Sequence, residues 1–154
     1  MAVIGFAALA FGIFVLDLLI KNYIEKSLEV GDEKPFCKGR LLIKRYHNKG
    51  AFLDMGEKKQ GVVTMLSLGL TLFMTVVFLA TFSFRGNSTL KAGLAFLLGG
   101  AYSNTYDRLT RKYVVDYVSF PVKNRRFRRI VFNISDFCIM IGALLLAVGE
   151  TKRN

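Results

Sequence analysis

Histidine is almost absent from this chain, which has one, together with two cysteines, two prolines and no tryptophan in 154 residues. Acidic residues are scarce as well, 11 against 22 lysines and arginines, leaving a net charge of +11. A single histidine, His47, is a thin basis for a Ser-His-Asp triad or a histidine metal site, and it reads as a solvated loop residue. Cys37 lies in a polar loop and Cys138 in an apolar run, with no CxxC and no metal-ligand spacing, so neither a disulfide nor a metal centre is expected. No cofactor is expected either. The positive charge comes without a recognised nucleic-acid module and flanks apolar runs. It therefore reads as contact with anionic membrane lipids, with no nucleic acid as partner.

What the chain has in abundance is apolar length. It is 53% hydrophobic with 14 phenylalanines and 14 glycines. A helix needs about 20 predominantly apolar residues to cross the hydrocarbon core. Four segments approach this, at about 1–24, 61–84, 88–107 and 130–149. The first lacks a basic leader and a small-residue cleavage site, so it reads as a retained helix. Two long connections, about 25–60 and 109–129, carry most of the charge. Within the first, 40–47 has strand-like composition; within the second, 113–121 reads as extended up to Pro121. The expectation is a mainly α membrane protein, one integral domain over 1–154, with four transmembrane helices and a small extramembrane β cradle built by the first loop.

The few acids occupy costly positions. Asp17, Asp107 and Asp136 each sit at one end of an apolar run, and Asp116 lies among Val114, Val115, Tyr117 and Val118. A carboxylate within a bilayer costs roughly 2.5–3.5 kcal/mol even on the lenient insertion scale, which makes such residues functional candidates. In an up-down-up-down arrangement the end of the first helix, the end of the third and the start of the fourth share one face. Asp17, Lys21, Asn104, Asp107, Arg108, Asp116 and Asp136 then converge there. Bland readings exist for each: Lys21 as a snorkelling anchor, Asp136 as a helix cap, Asp107 as part of a helix-end polar cluster. Arg108 is suited to a forked pair with a carboxylate. Two carboxylates at one site cannot both ionise easily and so share a proton. One then activates a water while the other polarises a carbonyl, which is aspartic peptidase chemistry.

The motifs resemble those of the lipoprotein signal peptidase (signal peptidase II) family along nearly the whole chain. Asp17-Leu-Leu-Ile-Lys21 resembles that family's Asp-x-x-x-Lys. Asn48-Lys-Gly50-Ala-Phe52 resembles Asn-x-Gly-Ala-Ala-Phe. The run from Gly99 through Asn104 to Asp107-Arg108 resembles Gly-Gly-Ala-x-Gly-Asn-x-x-Asp-Arg. Val114-Val-Asp116-Tyr-Val resembles Val-Val-Asp-Phe-Ile, and Phe132-Asn133-Ile-Ser-Asp136 resembles Phe-Asn-x-Ala-Asp. The chain departs from the pattern at Leu18, which stands for Gln, at Ser103 for Gly and at Ser135 for Ala, and it lacks the second Ala and the following Gly in the 50–56 loop.

The resemblance implies an aspartic endopeptidase that removes the signal peptide of a prolipoprotein, cleaving before its lipid-modified cysteine. It implies Asp116 and Asp136 as the catalytic pair. Asn48, Asn104, Arg108 and Asn133 would bind substrate or orient the pair, with Asp17, Lys21, Asp107 and Gly50 as structural support. It also implies a multi-pass protein of the bacterial cytoplasmic membrane with the active site at the outer face, expected to be a monomer. The alternative is a diverged, non-catalytic relative that binds lipidated peptide or lipid in the same cleft. The positive-inside rule points the other way on orientation, because 10 Lys and Arg fall in 21–59 and 8 in 108–129.

Overall fold

The computed structural model describes residues 2–50, 59–84, 86–122, 124, 127 and 130–151. In chain order the elements are helix α1 (Ala2–Ser27), strands β1 (Glu33–Phe36) and β2 (Leu41–Asn48), helix α2 (Gln60–Ala80) with a 3₁₀ turn at Thr81–Ser83, helix α3 (Ser88–Thr110), strand β3 (Val114–Ser119) and helix α4 (Ile134–Thr151). The protein is mainly helical with one small sheet. Among the described residues two helices, Val3–Ser27 and Gln60–Ser83, are long and apolar enough to cross a membrane, and Ile134–Gly149 is a shorter apolar helix.

Helix α3 is the central one, packed against α4, α1 and α2. Its glycines explain the closeness. A Cβ at Gly99 would lie 2.7 Å from the Ala10 carbonyl oxygen and 2.7 Å from Ile13 Cβ of α1. A Cβ at Gly100 would collide with the Ser135 carbonyl of α4. Small residues of this kind are how helices approach when the surrounding medium supplies no hydrophobic drive. Large apolar side chains of α1 and α2, among them Phe11, Leu19, Met65, Leu70, Phe73 and Leu79, remain exposed on the protein alone, as expected of a surface that meets lipid.

The sheet differs from the expected cradle in one respect. It is antiparallel in the order β1-β2-β3, so its third strand comes from the second connection, not the first. Hydrogen-bond demand explains this: β2 would otherwise leave an unpaired edge. The register between β2 and β3 slips between Ile43 and Tyr46, an irregularity that sets the direction of the last three pairs. The fourth helix also starts later than its apolar run. Residue Phe132 is engaged instead with β3, its carbonyl accepting the N–H groups of Tyr117 (2.8 Å) and Val118 (2.7 Å). Asn133 then caps the helix. Both cysteines are free, Cys37 exposed and Cys138 buried. The Ala51 and Phe52 positions of the Asn-Lys-Gly motif, and most of the basic run 124–129, lie outside the described residues.

Candidate active site

Two connections, α1 to α2 and α3 to α4, converge at one end of the helices, and local backbone geometry dictates which side chains meet. Asn48 pairs with Val114 across β2 and β3, and Asp116 lies two residues further along. Residues two apart share a sheet face, so Asn48 and Asp116 are diagonal neighbours. The Asn48 Nδ2 donates to Asp116 Oδ2 at 3.0 Å. The bridge from Phe132 to β3 brings the start of α4 alongside. There Asn133 and Asp136 form a reciprocal cap: Asp136 N–H donates to Asn133 Oδ1 (2.9 Å) and Asn133 N–H to Asp136 Oδ2 (3.1 Å). Asp136 is therefore not the N-cap itself, which is Asn133, but its partner in the capping box, and its other oxygen accepts Asn104 Nδ2 at 3.0 Å.

Asn133 ties the two acids together. Its Nδ2 donates to Asp116 Oδ1 at 2.7 Å and to Asn104 Oδ1 at 3.2 Å, while its backbone and Oδ1 hold Asp136. Asp116 is 1% exposed. Burial, together with the negative charge of Asp136, pushes its carboxyl up to about 8, against the partial relief given by the two asparagine donors. The raised value favours one proton shared by the pair near neutral pH. Asp116 and Asp136 line the same cavity of about 720 Å³, with Asn48, Asn104 and Arg108 at the polar end and Leu70, Met74, Leu97 and Ile139 along its wall.

Behind the pair lies a fully buried ionic cluster. Lys21 Nζ is 2.9 Å from Asp17 Oδ2 and 3.2 Å from Asp107 Oδ2, with all three side chains at 0% exposure. It also donates to Ser103 Oγ (3.0 Å) and Asn104 Oδ1 (2.9 Å). The snorkelling reading of Lys21 is therefore wrong: four oxygens inside the bundle replace water around the ammonium. Asp107 further meets Arg111 Nε at 3.1 Å and accepts the Val115 N–H at 3.1 Å, which anchors β3 one residue before Asp116.

Two other expectations need correction. Among the described residues Arg108 makes no forked carboxylate pair; its two terminal nitrogens donate to the backbone carbonyls of Asn104 (3.3 Å) and Gly50 (3.2 Å). Gly50 in turn donates its N–H to Asn48 Oδ1 at 3.1 Å, so Arg108 and Asn48 together hold the end of β2. His47 is not a solvated loop residue. It lies in β2, stacked on Tyr113 with ring centroids 3.9 Å apart, its Nε2 2.7 Å from Glu25 Oε1. The same glutamate pairs with Arg45 at 3.0 Å, tying the sheet to the end of α1. Every residue singled out from the sequence for the site thus falls in this one region. Tyr117 was missed: its hydroxyl donates to Asp17 Oδ1 at 2.7 Å, and only its place beside Asp116 hinted at a role.

The chain is similar to known proteins. A family model described as signal peptidase (SPase) II matches residues 9–151. The chain is 32% identical over 139 residues to a lipoprotein signal peptidase of Clostridium novyi (strain NT), covering 90% of each chain. It is 32% identical over 150 residues to that of Cupriavidus necator (strain ATCC 17699 / DSM 428 / KCTC 22496 / NCIMB 10442 / H16 / Stanier 337), covering 95% of this chain and 82% of the other. A solved structure described as a bacterial membrane enzyme, obtained by the in meso method, has the same fold. Its TM-score is 0.81 at 22% identity, over 96% of this chain and 88% of that one.

Proposed function

The chain belongs to the signal peptidase II family, integral membrane peptidases that process lipoprotein precursors, and from that premise we propose that Asp116 and Asp136 form an aspartic dyad that performs the cleavage. The observation that carries this reading is the bridging of both carboxylates by Asn133 at the polar end of one cavity, where burial and their mutual repulsion favour one proton shared between them. Asp136, ionised, takes a proton from a water held between the two acids. The hydroxide attacks the scissile carbonyl carbon while Asp116 gives its proton to the carbonyl oxygen. The tetrahedral intermediate then collapses. The C–N bond breaks, the leaving amine takes the proton from Asp136, and Asp116 recovers its own from the hydroxyl. Each acid ends as it began.

The remaining residues support this step. Asn48, Asn104 and Asn133 present amide donors to the carboxylates and fix their rotamers. Arg108 lies at the cavity and holds the Gly50 carbonyl, which positions the backbone against which a substrate chain lies. The apolar wall contributed by α2, α3 and α4 suits the acyl chains of a lipid-modified cysteine, and the polar end suits the peptide just before it.

The wider architecture follows the same reading. Four helices span the cytoplasmic membrane of a bacterium as one domain, acting as a monomer among membrane lipids, with the sheet and the dyad at the outer face. The excess of loop cations is a weaker argument against that orientation than their number suggests. Lys21, Arg111, Lys44 and Arg45 are paired with Asp17 and Asp107, Asp107, Glu33 and Glu25, so they add little to the field outside the fold.

The test uses purified protein and a prolipoprotein bearing the lipid-modified cysteine, with the products read by mass spectrometry. The expected product begins at the modified cysteine and forms equally well with a metal chelator or a thiol alkylating agent present. Loss of cleavage on chelation would refute a metal-independent dyad.

A further inference from the structure

The two acids of the site come from different elements, β3 and α4, so their separation depends on how those elements are held together. The Asp17 carboxylate, at 0% exposure, accepts three hydroxyl hydrogen bonds from three different elements. Ser103 of α3 donates to Oδ2 at 2.6 Å, Ser135 of α4 to the same oxygen, and Tyr117 of β3 to Oδ1 at 2.7 Å. Each donor is the immediate chain neighbour of a site residue. Ser103 precedes Asn104, Tyr117 follows Asp116, and Ser135 precedes Asp136.

We propose that Ser103, Tyr117 and Ser135 are positioning residues, which grip Asp17 and so fix the relative placement of Asn104, Asp116 and Asp136. This rests on the dyad reading given above. Tyr117 does the most, because its oxygen also accepts the N–H of Ile134 at 3.1 Å. One phenol thereby ties the strand carrying one acid to the first turn of the helix carrying the other. Burial and the nearby Asp17 charge push this phenol above its usual range, so it stays a donor at any working pH. Ser103 passes the restraint to Lys21, whose ammonium it accepts, and Lys21 orients the Asn104 amide toward Asp136. In the motifs quoted above these three positions carry Gly, Phe and Ala, so the hydroxyls are a feature of this chain and not of that pattern. None of the three lines the cavity, so substrate has no direct contact to lose.

The experiment is a comparison of Tyr117→Phe, Ser135→Ala, Ser103→Ala and the triple variant as full chains, with kcat and KM on the lipidated prolipoprotein measured across pH 5–9. Small misplacements of reacting groups cost up to ~100-fold. The expected result is a kcat lower by roughly 10-fold in Tyr117→Phe and up to ~100-fold in the triple variant, with KM within about 2-fold and the pH profile displaced. Ser135→Thr, which keeps the hydroxyl, should restore most of the kcat lost in Ser135→Ala. Should the triple variant not fold, Tyr117→Phe decides alone, since it removes one oxygen and keeps the buried ring. Unchanged kcat and pH profile in Tyr117→Phe and Ser135→Ala, even with lowered thermal stability, would overturn the proposal. Asp116→Asn and Asp136→Asn run beside them separate the two readings: cleavage retained there overturns both, and cleavage lost there with the hydroxyl variants fully active overturns only this one.

Discussion

Replacing Lys21 by methionine removes a buried charge while keeping the length of the side chain. Asp17 and Asp107 then share an interior space with no cation between them, and Asn104 loses the donor that orients its amide. Removing one partner of a buried ion pair costs about 3–5 kcal/mol, because the other charge remains buried. The lower end applies here. Asp17 keeps three hydroxyl donors, and Asp107 keeps Arg111 and the Val115 N–H. For chains of this size, with about 2–4 °C per kcal/mol, the loss corresponds to a fall in Tm of roughly 6–12 °C. The chain has no tryptophan, so circular dichroism of the detergent-solubilised protein is the suitable probe. A second change, Asp17→Asn, removes one of the stranded charges. The double variant should then lose less than the sum of the singles by about 1–3 kcal/mol. A Tm within ~2 °C of the unaltered protein, or strict additivity, would refute the account of Lys21 as the buried counter-ion.

Other consequences are equally direct. Asp116 keeps its proton in the folded state up to about 8, whereas the unfolded chain releases it near 3.8. The unfolded state therefore binds fewer protons between those values, and stability should fall as pH rises through that window. Thermal unfolding from pH 4 to 9 should show this decline, flattened in Asp116→Asn; identical slopes in both proteins would contradict it. Gly100→Ala forces a Cβ against the Ser135 carbonyl, with Ile139 Cγ1 at 2.9 Å. It should push the first turn of α4 away, lowering stability by ~1–3 kcal/mol and abolishing most cleavage, measurable by the same unfolding and product assays. Cys37 is exposed in the turn between β1 and β2. It should react with a membrane-impermeant maleimide in intact cells, and labelling only after cell disruption would invert the proposed orientation.

Much of this arrangement was readable before folding because its signals are local. Apolar runs of lipid length announce helices, and β-branched stretches bounded by polar residues announce strands. The position of each acid at the end of a run, combined with alternating helix direction, brings the acids to one face without tertiary information. What stayed hidden depends on distant partners. The third strand of the sheet belongs to the second connection, while the strand it pairs with belongs to the first. His47 looked like a loop histidine because Glu25 and Tyr113, which hold it, lie 22 positions before it and 66 after it in sequence. Arg108 looked fit for a carboxylate, yet among the described residues its acceptors are carbonyls whose position the chain reveals only when folded. Ser103 and Ser135 stood out as departures from a pattern, but their common acceptor, Asp17, is 86 and 118 positions away.

The central claim is that Asp116 and Asp136 act as one unit on one water. Its most direct test is the single-turnover cleavage rate of lipid-modified prolipoprotein by Asp116→Asn, Asp136→Asn and the double variant, each verified as folded by circular dichroism. Both single variants should fall to the background rate, and the double should be no slower than either, as for residues that function together. Substantial cleavage by either single variant, or a further loss in the double, would contradict it.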